Sequence, residues 1–475
     1  MRKLPLSLVA AAILAGSTLA SNARAQDAET AESIKELKQQ VKLLEAKIER
    51  LESLNQQVKV IDRKLEASEA AQKERTLTMP IVQATPDGFF LKTPHNDYTL
   101  NIGGWIQADS RWFTSQEPSP QSSTFVMRRV RPYFQGTIAK YWDYRVLLDF
   151  GQGTATLQDA YIEAHYLNEF LPRMGKFKEP VGIERLQDDR YLLFVERALD
   201  VNLVPDRDIG AGIHGELFNR SLEYRFTLMN GVPDNTAAVG LDNNDGKDFA
   251  GRVFWHPFQT FGMEQLKGFG IGMAGTIGNQ SGTNLDLYKT TAQSTFFTYN
   301  SDVYADGKRF RIAPQASLYY GPLSLYGEWV ENWQELGRNF TTGPAPHPLM
   351  SISEGISNQA WQIAAGWVLT GENSSYSGVR PRHDFNPYSG SWGAFEIGAR
   401  VDQLLVDRAA FNDGFANPGK SARQATEFAF GLNWYLNRNV KFMIDYEHTS
   451  FTLGASGGGN RPSESAILTE LQLAY

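Results

Sequence analysis

Between Glu29 and Glu74 the chain contains neither proline nor glycine, and its apolar residues recur at heptad spacing. Ile34, Val41, Ile48 and Asn55 stand seven apart, and Leu37, Leu44, Leu51, Val58 and Leu65 fill the position three later. The pattern predicts a coiled coil, about 70 Å long at 1.5 Å per residue, that packs against copies of itself. A helix lying on a membrane needs a wide apolar face, and this stripe is narrow. β-branched residues at the first core position with leucine at the second favour two strands.

After Pro80 and Pro86 the period changes from 3.5 to 2. Segments of about ten residues alternate apolar with polar or small side chains, and short turns or long Gly/Asn/Ser-rich loops separate them. In EFAFGLNWYLNRNVKFMIDYEHTSF, Phe428, Phe430, Leu432, Trp434 and Leu436 share one face. Asn437-Arg438-Asn439 turns the chain, and Val440, Phe442, Ile444 and Tyr446 continue an apolar face with Lys441, Asp445 and Glu447 opposite. The alternation runs to the last residue: Ile467, Thr469, Leu471, Leu473 and Tyr475 share one face, with Leu468, Glu470, Gln472 and Ala474 on the other. About sixteen such segments lie between Thr99 and Tyr475. An even number permits closure, and closure removes the strand edges that lipid cannot satisfy. The expected fold is therefore an all-β membrane barrel of about 16 antiparallel strands, preceded by the helix. A soluble secreted β protein is the alternative.

Arg2 and Lys3 precede an apolar run from Leu4 to Leu19, and Ala23-Arg24-Ala25 offers a small-x-small cleavage site. The expected organisation is an export signal over 1–25, a periplasmic coiled coil and linker over 26–80, and a barrel over 81–475 in the outer membrane of a Gram-negative cell. No later window is apolar enough for a transmembrane helix, in keeping with a mean hydropathy of −0.37. The absence of cysteine excludes disulfides and thiolate chemistry. A formal net charge of −7 argues against a nucleic-acid partner but says nothing of the charge inside a cavity.

The polar faces carry the chemistry. FVMRRVRPYFQG sets Arg129, Arg131, Tyr133 and Gln135 on one face with Arg128 near the strand's start. Arg145, Arg225, Arg252, Arg309, Arg311 and Arg400 recur inward on later strands. Arginine stays charged and binds oxyanions bidentately, although any porin lumen carries arginines paired with acids. PRMGKFKEPVGIERLQDDRYLLFVERALDVNLVPDRD starts as a strand bearing Lys176 and Lys178 and then loses its period for about 28 residues. A loop this long is functional or disordered, and Leu192, Leu193, Phe194 and Val195 argue for order. The expectation is an inward-folded third loop that narrows the barrel and presents Arg185 and Arg197 to the pore axis.

RRVRPYFQG, WDYRVLLDFG, DAYIEAHY, GKFKEPVGIERL, the Glu196-Arg197 pair and the GLNWYLNRNVKFMIDYEHT hairpin together resemble the phosphate-selective porins O and P of Gram-negative outer membranes. The resemblance runs from Ile102 to Tyr475, with GKFKEPVGIE its most specific part. It implies a homotrimer of sixteen-stranded barrels in outer-membrane lipid, with an arginine ladder leading to an anion site on the third loop. It also implies that Arg185 and Arg197 are the central basic residues, that Asp159 is the acid beside them, and that Arg128, Arg129 and Arg225 lie on ladder strands. Arg131, Lys176, Lys178 and Arg252 complete the expected anion-binding set. Trp105 stands where the family often has arginine, a rung that Arg111 could replace. Lys176 stands where an uncharged residue is common, and Tyr475 where phenylalanine is usual.

The expected function is passive diffusion of anions, phosphate or polyphosphate first, with a general small-anion or acidic-sugar porin as the alternative. Tyr191 and Phe194 keep the sugar reading open. On this reading Asp159 accepts a P–OH proton that chloride and sulfate lack. The seven histidines show no metal spacing, and no nucleophile elbow is present, so neither an enzyme nor a cofactor is expected. A structural tether with a plugged barrel is a further alternative.

Overall fold

The computed structural model describes residues 27–475 apart from 116–120, 239, 241–244, 262, 284 and 342–348. The export signal expected over residues 1–25 lies outside the described residues. The chain divides into two units after Met79. The first contains one helix, α1 (Asp27–Thr78). It ends before Pro80, whose ring removes a donor and disfavours helix in the residue before it. Along α1 the eight apolar heptad residues from Ile34 to Leu65 are 47–64% exposed, so the stripe is uncovered on a single chain.

The second unit opens with a hairpin, Ile81–Thr85 and Gly88–Lys92. Sixteen strands follow. They are β1 (Thr99–Phe113), β2 (Thr124–Ile138), β3 (Trp142–Asp149), β4 (Thr156–Ala164), β5 (Leu171–Lys178), β6 (Arg207–Leu217), β7 (Leu222–Met229) and β8 (Asp248–Trp255). Then come β9 (Phe269–Gly282), β10 (Val303–Tyr320), β11 (Leu323–Thr341), β12 (Leu349–Val368), β13 (Ala394–Leu405), β14 (Ala422–Tyr435), β15 (Val440–Leu453) and β16 (Glu464–Ala474). Each pairs antiparallel with its neighbours. β16 closes the ring on β1, from Ala474 opposite Trp105 to Ala466 opposite Phe113. Tyr475 completes the seam: its N–H donates to Gly104 O at 2.9 Å and its C=O accepts from Gly104 N–H at 2.8 Å. Closure thus pairs the backbone at both ends of the strand series.

The dyad pattern sorts the faces as a membrane barrel requires. On β14 Phe428, Phe430 and Leu432 are exposed outward, whereas Glu427, Ala429 and Asn433 are buried. On β16 Leu471 and Leu473 are exposed, and Leu468, Glu470 and Gln472 are buried.

Most connections at the end bearing Thr99 and Tyr475 are short, as at Gly321-Pro322 and Leu436–Asn439; those over 256–268 and 369–393 are longer. Residues 369–393 form a long connection between β12 and β13, and the Tyr376 hydroxyl donates to Ile183 O at 2.8 Å. Wall height varies: β3, β5, β7 and β8 have 8 residues each, whereas β10, β11 and β12 have 18, 19 and 20. The ladder between β12 and β13 stops at Gln359 opposite Leu405, so Leu349–Asn358 pairs with β11 alone.

Candidate functional site: the long loop and the arginines around it

Residues 179–206 are almost wholly buried, and their partners lie on the inner faces of strands far apart in sequence. Ile183 N–H donates to a Glu328 oxygen on β11 at 3.0 Å, and Val195 N–H to Asp445 Oδ2 on β15 at 2.6 Å. Asn433 Nδ2 of β14 donates to Leu193 O at 2.9 Å, and Gln107 Nε2 of β1 to Asp189 O at 3.2 Å. The apolar tip is seated on glycine. Gly366, Gly398 and Gly431 pair in register across β12, β13 and β14. A Cβ at Gly398 would stand 3.1 Å from both Leu193 Cγ and Phe194 Cζ, and one at Gly431 would stand 3.3 Å from Phe194 Cδ1. Arg400 Cζ covers the Phe194 ring at 4.5 Å. Deeper in the loop, Leu199, Val201 and Leu203 pack with Tyr288, Phe296 and Phe297 from a second inserted hairpin between β9 and β10.

A bulge builds the basic wall. Gln107 pairs with Arg129 and Ala108 with Met127, which leaves Arg128 as the extra residue of β2. Strict alternation would send Arg128 outward; the bulge lets two consecutive arginines reach inward. Both meet Glu196. Arg128 Nε donates to Glu196 Oε1 and Nη2 to Oε2 at 3.1 Å, Arg111 Nη2 donates to Oε1 at 3.0 Å, and Arg129 Nη2 donates to Oε2 at 3.4 Å. Asp189 gathers a second set: Arg131 Nη1 bonds Oδ2, Arg197 Nη2 lies 2.5 Å from Oδ1, and Arg129 Nε lies 3.6 Å from it. Burial pushes both carboxyls up, but the surrounding arginines outweigh it. Glu196 is held down at about 2 by Arg128, Arg129 and Arg111, and Asp189 lies well below the usual range because of Arg131, Arg197 and Arg129.

The expected site residues divide into three groups. Arg128, Arg129, Arg131 and Arg197 come together around the two loop carboxylates. Lys178 joins them from the end of β5, its Nζ donating to Arg185 O at 2.7 Å and Gln187 O at 2.9 Å. Arg185 does not face the pore axis. It is 6% exposed, and its Nη2 donates to Val201 O at 2.9 Å and Asn235 Oδ1 at 2.6 Å. Burial lowers its pKa to about 10, with Asp206 opposing that shift and Arg197 and Arg207 adding to it. Asp159 is not the acid beside Arg185 and Arg197. Its Oδ1 accepts from Arg207 Nε at 2.7 Å and its Oδ2 from Arg145 Nε at 3.3 Å. Lys176 also leaves the group: it sits in the register row of Ala160 and the exposed Ile209, and its Nζ donates to Leu157 O at 2.7 Å and Ala238 O at 2.5 Å.

Arg225 and Arg252 form the third group. They are directly opposite in the β7–β8 register. Arg252 Nε donates to Gln315 Oε1 at 3.1 Å, with Glu223 3.6 Å away, while Arg225 has no hydrogen bond or ion pair among the described residues. Towards the short-turn end, Arg190, Tyr191, Arg380, Arg438 and Lys441 line a small cavity with Asp87 the acid among them. Trp105 does not present a basic rung. It is 2% exposed, with its ring centroid 6.4 Å from that of Tyr133 and Arg190 Cζ 4.9 Å above it.

Sequence reasoning noticed the arginines of the loop and passed over its carboxylates. Asp189 and Glu196 carried a signal, since each is an acid beside an arginine within an apolar, aperiodic segment. Their three-arginine surroundings could not be read locally, because Arg111, Arg128, Arg129 and Arg131 lie 58 to 85 positions away.

Residues 100–475 match the family model described as phosphate-selective porin O and P. Porin O of Pseudomonas aeruginosa is 22% identical over 432 residues, which cover 83% of this chain and 92% of that protein. Among solved structures, outer-membrane-expressed OmpT of Vibrio cholerae aligns at a TM-score of 0.47 and 12% identity over 80% of this chain and 98% of its own. Salmonella typhi OmpF, in complex with daunomycin, aligns at 0.47 and 12% over 84% and 100%.

Proposed function

The chain belongs to the phosphate-selective porin O and P family, and on that premise we propose that anions, phosphate or polyphosphate first among them, diffuse passively along its arginine-lined lumen. The protein is an outer-membrane channel rather than an enzyme.

The observation that carries the anion reading is the Arg225–Arg252 pair. Two like charges directly opposite on a ladder are destabilising, and neither arginine has a carboxylate within hydrogen-bond distance. An oxyanion lying between them removes the repulsion with bidentate bonds. Arg128, partly exposed beside Glu196, and the basic cavity at the short-turn end extend the route. Spaced sites of this kind let an ion bind and leave.

The loop is the narrowing element of this reading. Its tip rests on the glycine row and its carboxylates on the basic wall, so Arg129, Arg131 and Arg197 hold the loop as much as they attract ions. A wider acidic solute is the second reading, favoured by the aromatic surround of Arg190, whose Cζ lies 5.2 Å from the Tyr191 ring and 6.0 Å from that of Tyr133.

The assembly belongs to the same proposal. Copies pair through the uncovered stripe of α1 in the periplasm and through their barrels as a homotrimer. The barrel contact, larger than a narrow heptad seam, sets the number of chains.

The test is single-channel conductance of the full chain in planar bilayers, with reversal potentials in a potassium chloride gradient and chloride current titrated with phosphate. Anion selectivity with chloride current blocked by phosphate is the expected result. Cation preference, or anion current indifferent to phosphate, overturns the phosphate reading.

A further inference from the structure

Glu196 ties the loop to the basic wall through a contact that has the form of an oxyanion site. Its carboxylate is 3% exposed and receives four N–H donors from three guanidinium groups. Arg128 holds it with both Nε and Nη2, the fork geometry that also fits phosphate. Arg111 supplies the third side and Arg129 the fourth donor. A free oxyanion placed between these arginines would find the donors that Glu196 now uses.

The backbone keeps the carboxylate there from the neighbouring stretch of wall. Two residues earlier Phe194 rests on Gly398 and Gly431, and one residue earlier Val195 N–H is bound by Asp445. The backbone at Val195 and Glu196 is thus anchored on β13–β15, Arg400 Nη1 donating to Glu196 O at 3.0 Å, while the Glu196 side chain reaches the arginines of β1–β2 beside those that Asp189 meets. A tethered carboxylate of this kind competes at an effective concentration on the order of millimolar or above. Asp109, 2% exposed on β1 with neither carboxylate oxygen hydrogen-bonded, is a further acid beside the same arginines. Arg129 is shared further, with Asp189 at 3.6 Å and Glu470 at 4.0 Å, so the cradle carries no large surplus of positive charge.

We propose that Arg111, Arg128 and Arg129 form an oxyanion site whose resident is the loop's own Glu196, and that a permeating anion occupies it by exchanging with that carboxylate. The exchange weakens a site that these arginines would hold more tightly without Glu196, because the leaving anion is replaced as it departs. No bond is made or broken; guanidinium hydrogen bonds pass from one oxyanion to another. The inference rests on the anion-channel reading above and names how one of its sites is regulated.

Glu196→Gln keeps the size of the side chain and removes its charge. In the full chain in planar bilayers, Glu196→Gln is expected to lower the phosphate concentration that halves the chloride current by about tenfold and to raise the anion-to-cation permeability ratio. Glu196→Asp, still charged, is expected to stay within about threefold of the wild type. Phe194→Ala controls for a loosened loop: it is expected to raise chloride conductance without tightening the phosphate block. A Glu196→Gln channel that conducts more but is blocked as before, in the manner of Phe194→Ala, overturns the exchange and leaves Glu196 a structural tie. A wild type without anion selectivity overturns the channel reading and the exchange with it. A selective, phosphate-blocked wild type with an unchanged Glu196→Gln overturns the exchange alone.

Discussion

Phe194 and Gly398 meet with no side chain between wall and ring: a Cβ on Gly398 would stand 3.1 Å from Phe194 Cζ. That distance is tighter than ordinary contact, so any larger residue at 398 displaces the tip of the loop. Gly398→Val is expected to cost ~1–3 kcal/mol of local packing, as overfilled sites do, and to release Leu192–Val195 from the wall. Limited proteolysis of the folded barrel should cut the loop in the variant and spare it in the wild type. Equal resistance in both would show that the glycine row does not seat the loop.

The Arg225–Arg252 pair gives a second outcome. Arg225→Ala removes the guanidinium that no carboxylate neutralises and relieves the like-charge contact. The folded barrel is expected to be at least as heat-resistant as the wild type, while the anion-to-cation permeability ratio falls about fivefold, the equivalent of roughly 1 kcal/mol. An unchanged ratio would remove this pair from the path.

The pH response of the loop follows from Glu196. Its pKa is depressed to about 2, so its contribution is fully present above the ordinary glutamate value of 4.5 and is lost only as pH falls through about 2. Loop resistance to acid-stable proteases should therefore persist at pH 3.5. Release of the loop between pH 5 and pH 4 would contradict the three-arginine hold.

Asp159 supplies a negative expectation. Both of its oxygens already serve arginines, Arg207 and Arg145. Asp159→Asn is expected to leave the preference for phosphate over sulfate unchanged while weakening the β4–β6 wall, read as a lower temperature of heat modification on a gel. A lost preference would return Asp159 to the role of proton acceptor.

For α1, Leu44→Glu with Leu51→Glu places charge in the middle of the apolar stripe. A helical melting transition seen by circular dichroism in the full chain is expected to weaken or vanish, with the β signal of the barrel kept. Identical melting would argue against pairing through this face.

The barrel was legible because lipid imposes a rule on every residue: alternation with period 2, carried on to Tyr475, survives any register. The helix was legible for the same kind of reason, since a heptad is a local count. Pairings that depend on meeting across the lumen were not. Arg128 looked like an off-phase residue until the bulge opposite Ala108 turned it inward. Lys176 looked like a partner of Lys178 by spacing, yet the two separate where β5 gives way to the loop. Asp159 and Arg185 were assigned to one site by motif, but Arg207 and Asn235 claim them, and neither partner stands near them in sequence. The grip of the 369–393 connection on Ile183 through Tyr376 had no local signal at all.

The unequal strands have a consequence for how ions arrive. A difference of 12 residues between β3 at 8 and β12 at 20 amounts to roughly 30 Å of height for strands tilted near 40°. The rim is therefore a slope. At the end that carries the long loops the strands stand high at β10–β12 and low at β3–β8. The low side is the one that carries Arg225 and Arg252, so a solute entering over it meets that pair behind the shortest wall.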